Sequence, residues 1–178
     1  MAKLIRDRKL VVDSWQKLES ADALTQVAGE ADLIVPLAVW KSHRDALTAR
    51  AGKVGVLLQP ADDPAAVANE FAQLALIAVQ FPKFTDGRGY STGRLLRSRY
   101  GWRGEMRAVG DVQRDQLFYL SRCGFDSYEL AETADLESAL SAFKDFTEAY
   151  QTSVDQPQPL FRRRNGEELK AASLAGQA

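Results

Sequence analysis

A rhythm of apolar runs is the feature that most constrains this chain. Five of them, LIVPLAVW (33–40), VGVLL (54–58), LALIAVQF (74–81), EMRAVG (105–110) and FDSYEL (125–130), alternate with stretches patterned as helices. Such alternation predicts βα units and a parallel sheet. Runs with little polar alternation predict strands covered on both faces. The runs share no residue signature, so this is a βα rhythm and not a sequence repeat. The predicted fold is therefore α/β, with about five βα units in a mainly parallel sheet. Two architectures fit, an open doubly wound sheet or a curved partial α/β barrel. Five units cannot close an eight-stranded barrel.

Local signals add detail. LIRDRKLVV (4–12) places two apolar pieces around Asp7-Arg8-Lys9 and predicts a β-hairpin, although no Asn-Gly or Asp-Gly turn is present. Asp63 before Pro64 marks a helix start. In DLESALSAFKDFTEAY, Leu136, Leu140, Phe143 and Phe146 fall at helical spacing and predict a core-facing stripe. The length of 178 residues suits one domain. The reading is a single α/β domain over 1–152 and an extended, partly disordered tail over 153–178.

Composition excludes several chemistries. One cysteine leaves no internal disulfide, CxxC pair or four-cysteine cluster. One histidine excludes most histidine-built metal sites. The longest apolar run is about eight residues, against roughly 18–20 for a bilayer span. MAKLIRDRKL carries no apolar signal core. A cytoplasmic protein with no membrane partner is expected.

Charge is unevenly spread. Residues 83–122 hold nine basic and four acidic side chains, and eight of the nine are arginines; the flanking segments are acidic. Arginine offers a planar fork of donors suited to phosphate, sulfate-like and carboxylate anions. Within the block, Asp86-Gly87-Arg88-Gly89 follows a predicted strand and precedes a helix that Ser91 or Thr92 could cap. This is neither a Walker A loop nor a GxGxxG fingerprint. Arg107-Ala-Val-Gly-Asp111 ends the next strand, with Asp111 placed as a helix cap and Arg114 just beyond. Open α/β sheets put ligands outside the carboxyl ends of strands. The candidate anion-binding edge is thus Lys83, Asp86, Gly87, Arg88, Gly89, Ser91, Arg94, Arg107, Asp111 and Arg114. Its ligand would be an oxyanion or a phosphate-bearing small molecule. Cys123, near the carboxyl end of a helix, reads as a buried structural thiol. His43 is placed at the start of a helix on the carboxyl edge. Aromatic residues interleave with the arginines, but a pI near 5.9 disfavours nucleic acid as a partner.

The block FPKFTDGRGYSTGRLLRSRYGWRGEMRAVGDVQRDQLFYLSRCGFD (81–126) resembles the core of an uncharacterised bacterial domain family. Its members are labelled as oxidoreductases of sulfite reduction. The resemblance extends through IVPLAVW, VGVLLQPADDP, AFKDFTEAYQ and PLFRRR. Members are typically encoded beside assimilatory sulfite reductase. That implies a role in sulfur assimilation and cysteine biosynthesis, with the reductase as a partner. The label implies an oxidoreductase. No nicotinamide, flavin, haem or cluster motif is readable, so the cofactor is unknown, and electron transfer would need an unrecognised site or a partner that carries it. The resemblance carries over no catalytic residue. An accessory protein of sulfite reduction is the first reading. A non-enzymatic module that docks an acidic partner surface through its Arg patch and tail is the alternative.

Overall fold

Each apolar run supplies a strand. The computed structural model describes residues 3–131 and 134–163. The strands are β1 (Lys3–Arg6), β2 (Lys9–Val12), β3 (Gln16–Lys17), β4 (Leu33–Pro36), β5 (Val54–Leu58), β6 (Leu76–Phe81), β7 (Glu105–Gly110) and β8 (Ser127–Tyr128). They form one sheet in the order β2-β1-β8-β7-β6-β5-β4-β3. From β3 to β8 every pairing is parallel, while β1 joins β8 and β2 antiparallel. Val35, Val56, Ala78, Ala108 and Tyr128 all lie on strands, as the rhythm predicts. The sheet is strongly curled, a half-barrel, which selects the curved of the two architectures.

The two faces of the sheet have different work. Val35, Val56, Ile77, Val79, Met106, Ala108 and Tyr128 join the main core, which also holds Trp40, Leu47, Leu96, Leu117 and Leu120 from the helices. The helices are α1 (Leu37–Thr48), α2 (Arg88–Ser98), α3 (Leu117–Arg122) and α4 (Leu136–Ala139), with 3-10 turns at Ala21–Gln26, Pro64–Gln73, Arg114–Gln116 and Leu140–Lys144. Residues one step out of phase along the same strands, Ile34, Leu76, Ala78 and Val109, form a second, smaller cluster with Leu57 and Trp15. Side chains alternate between faces along a strand. The helical core therefore covers one face, and the smaller cluster fills the other.

An ion pair shows how far the sheet bends. Lys17, on β3, bonds Glu129, next to β8. These strands stand at opposite ends of a six-strand arc. Between β2 and β3, Asp13 reaches Arg107 and Trp15 packs on the smaller cluster. Residues 13–15 thus form a strap across the inner face.

Several boundaries differ from the sequence reading. The run 33–40 is not one strand: it ends at Pro36, the N-cap of α1, and Trp40 is a fully buried helical residue. Apolar character marks burial, and both pieces are buried. His43 consequently lies midway along α1, exposed, at a kink, with Nδ1 2.7 Å from Ser42 Oγ, and does not begin a helix. Asp63 does cap the next turn, accepting from Ala65 N–H at 2.9 Å, but that stretch winds as a 3-10 helix. The 135–150 stretch is short α then 3-10; Phe143 stacks on Tyr128 at 5.3 Å, while Phe146 leaves the stripe and meets Phe118. The hairpin forms without glycine because Asp7 and Arg8 both adopt positive φ, 49° and 60°, as a primed turn requires. Ser153 is buried and its Oγ donates to Arg122 O at 2.6 Å, while the sequence from 164 onward lies outside the described residues. Among the described residues no helix is long and apolar enough to cross a membrane.

Candidate functional site

Adjacent strands β6 and β7, in register from Leu76↔Glu105 to Phe81↔Gly110, bring the next two loops side by side. Gly110 turns the chain with φ +102°, and a Cβ there would strike the Phe81 carbonyl. Asp111 N–H then donates to Phe81 O at 2.7 Å. The Asp111 carboxylate accepts Phe84 N–H at 2.8 Å, and Gln116 Nε2 donates to Phe84 O at 3.3 Å. Asp111 is thus a loop tie. The cap of the Arg114–Gln116 turn is Gln113, not Asp111 as the sequence reading placed it.

The predicted site residues separate into three groups. Lys83, Asp86, Gly87, Arg88 and Asp111 gather on the carboxyl edge. Arg88 Nε and Nη2 grip Asp86 at 3.0 and 2.6 Å, and Arg88 N–H also donates to it. Those hydrogen bonds hold the Asp86 carboxyl below its ordinary range and raise Arg88 above its own. Lys83 is exposed and makes no ion pair among the described residues. Gly87 is the N-cap of α2, so neither Ser91 nor Thr92 caps it; Ser91 is exposed within the helix, and Thr92 Oγ donates back to Arg88 O. Gly89 is buried against the Phe81 ring, a packing position. Arg114 is engaged away from the loop pair, with Asp145 at 3.2 Å and Ser141 at 2.9 Å.

Arg107 and Arg94 do not join the edge. Arg107 is 1% exposed on the inner face, bonded to Asp13 at 3.0 and 3.1 Å and to Glu105 at 2.8 and 3.1 Å. A guanidinium so deeply buried needs paired carboxylates, and two were within reach. Ser127, its register partner on β8, is fully buried with an unpartnered Oγ, and Glu129 Oε2 is likewise buried without a partner. The sequence reading missed this inner-face cluster. Glu105 and Arg107 sit two apart in an otherwise apolar run, which puts both on one face; that spacing was its one local signal.

Arg94 lies farther along α2, on a groove of about 360 Å³ lined also by Arg97, Ser98, Arg103 and the 152–157 segment. Arg97 is its anchored member. It donates to Gly124 O (2.8 Å), Trp102 O (3.0 Å), Gly104 O (2.9 Å) and Asp126 (2.6 Å). Burial works against both charges of that last pair, lowering Arg97 and raising Asp126, and their attraction offsets it only in part. Cys123 is buried, and burial raises its thiol, in keeping with a structural role.

Comparison with known proteins adds one match. No curated protein matches the chain. A family described as a bacterial protein of unknown function, DUF934, matches residues 55–161. That span runs from β5 through β8 and both loops of the carboxyl edge. As the match covers more than half of the sequence, the chain belongs to the DUF934 family.

Proposed function

We propose that this protein is an accessory component of assimilatory sulfite reduction, serving cysteine biosynthesis, and that it holds an oxyanion on the carboxyl edge beside Lys83 and Arg88. The sulfur assignment comes from the resemblance of residues 81–126. The observation that carries the site is the tied loop pair beyond β6 and β7. The Asp111 carboxylate accepts Phe84 N–H and Gln116 Nε2 donates to Phe84 O, which fixes the loop that presents Lys83. Strand carboxyl ends are where α/β folds gather their ligands.

Arg88 begins engaged with Asp86. Both groups face water, so their pairing is weak and readily exchanged. An oxyanion bridging Arg88 and Lys83 meets two cations, which favours the exchange.

Calorimetric titration with sulfite and sulfate tests this reading. The expected result is saturable binding that Arg88→Ala weakens about tenfold. A strain lacking the protein should grow slowly on sulfate and recover with cysteine. Unchanged growth on sulfate, or equal binding by wild type and Arg88→Ala, would overturn it.

A further inference from the structure

The fate of the nine cations in 83–122 points to a second place besides the carboxyl edge. Arg97, Arg107 and Arg122 are buried. Arg88 and Arg114 are paired with aspartates. Among the described residues, Lys83, Arg94, Arg99 and Arg103 make no ion pair. Of these four, Arg94 and Arg103 line one groove, beside anchored Arg97. We propose that this groove is a binding site for a tetrahedral dianion, sulfate or hydrogen phosphate, free or carried by a small molecule.

The groove is built from separate parts of the chain. Arg94, Arg97 and Ser98 come from α2, Arg103 from the turn before β7, and Thr152, Ser153 and Val154 from the C-terminal segment. That segment is held in place: Val154 N–H and Ser153 Oγ both donate to Arg122 O, and the Arg122 guanidinium bonds Gln151 O. The wall opposite α2 is therefore fixed. Arg97 is fixed by four acceptors, so it supplies a preset charge, while Arg94 and Arg103 are exposed arms free to close on a ligand.

Charge balance favours a dianion. Among the described residues, the ion-pair partners of Arg94, Arg97, Arg103 and nearby Arg122 are Asp126 on Arg97 and half-exposed Asp155, 3.5 Å from Arg122. The carboxyl end of α2 adds roughly half a negative charge. A clear positive excess remains. Two free guanidinium forks match tetrahedral oxygens in pairs, which a point charge does not. A volume of about 360 Å³ admits such an ion with a small appended group.

Calorimetry at low ionic strength with sodium sulfate and sodium phosphate, against a sodium chloride control, decides the matter. Saturable binding of either oxyanion is expected. Titrating the Lys83→Gln/Arg88→Gln protein removes the carboxyl edge and isolates the groove: saturable binding should persist there, and adding Arg94→Gln/Arg103→Gln should weaken it at least tenfold. Both groove arginines are exposed, so circular dichroism should report an unaltered fold. Two results would overturn the proposal: no saturable oxyanion binding left in the Lys83→Gln/Arg88→Gln protein, which would assign the ion to the carboxyl edge alone, or equal affinity once Arg94→Gln/Arg103→Gln is added to that folded protein.

Discussion

Tyr128 shows how one buried residue sets a pH limit. Its ring lies in the main core, 2% exposed, and its hydroxyl donates to Phe125 O at 2.5 Å. Burial raises the phenol well above its ordinary value. The folded chain thus keeps a proton that the unfolded chain sheds near pH 10. Its stabilising contribution is complete below that pH and drains away as pH climbs further. Cys123 is raised by burial too, and its contribution begins to drain earlier, from about pH 8.5. Tyr128→Phe should cost about 1 kcal/mol at neutral pH through the lost hydrogen bond. Its melting temperature should then fall less steeply than wild type between pH 9 and pH 11. Parallel profiles in the two proteins would refute this account.

At the scale of elements, α2 and its strands show what a sequence can announce. Gly89 sits over the Phe81 ring and Gly93 over the Phe125 ring, each so close that a Cβ would collide. On an exposed helix, Gly93→Ala would gain about 1 kcal/mol from backbone entropy. Here the added methyl must displace a core ring, at a cost of roughly 1–3 kcal/mol. Urea unfolding should therefore show Gly93→Ala less stable than wild type or no better; a clear gain would contradict the close packing. Periodicity located the strands because burial leaves apolar runs, and Val35, Val56, Ala78, Ala108 and Tyr128 all fell on them. It could not find the break at Pro36, because the strand before and the helix after are equally apolar. Nor could it place Arg107, whose partner Asp13 lies far away along the chain. The carboxyl-edge loops were legible because β6 and β7 are consecutive neighbours. The groove was not, because its second wall comes from residues 152–157, a segment with no pattern of its own.

For the whole molecule, the strap over the inner face ties together strands that the curl brings close. Asp13 meets buried Arg107, Trp15 covers Ile34 and its neighbours, and Lys17 reaches Glu129. Breaking a buried ion pair from one side costs roughly 3–5 kcal/mol, because the remaining charge stays desolvated. Glu105 still serves Arg107, so Asp13→Ala should fall near the lower end, about 3 kcal/mol. It should also loosen the strap, seen as faster hydrogen exchange at Gln16 and Leu18, whose N–H groups bond Asp32 O and Ile34 O. Unchanged exchange and stability would mean that the strap is held by Trp15 alone.

The antiparallel hairpin has a consequence for the order of assembly. During synthesis β1 and β2 emerge ahead of the other strands of this sheet and can pair at once through their two-residue turn. A lone two-stranded hairpin is marginal in water. The free side of β1 waits for Ser127 and Tyr128, its partners near the other end of the chain. Until then β4 to β7 can associate in sequence, each beside its predecessor, while the earliest strand stays unfinished. Closing so long a loop is slow because its entropy is lost before its contacts form. A strand made early is therefore secured late, and a ribosome pausing before residue 127 would hold a chain with an open edge at β7 and an idle hairpin in front of it.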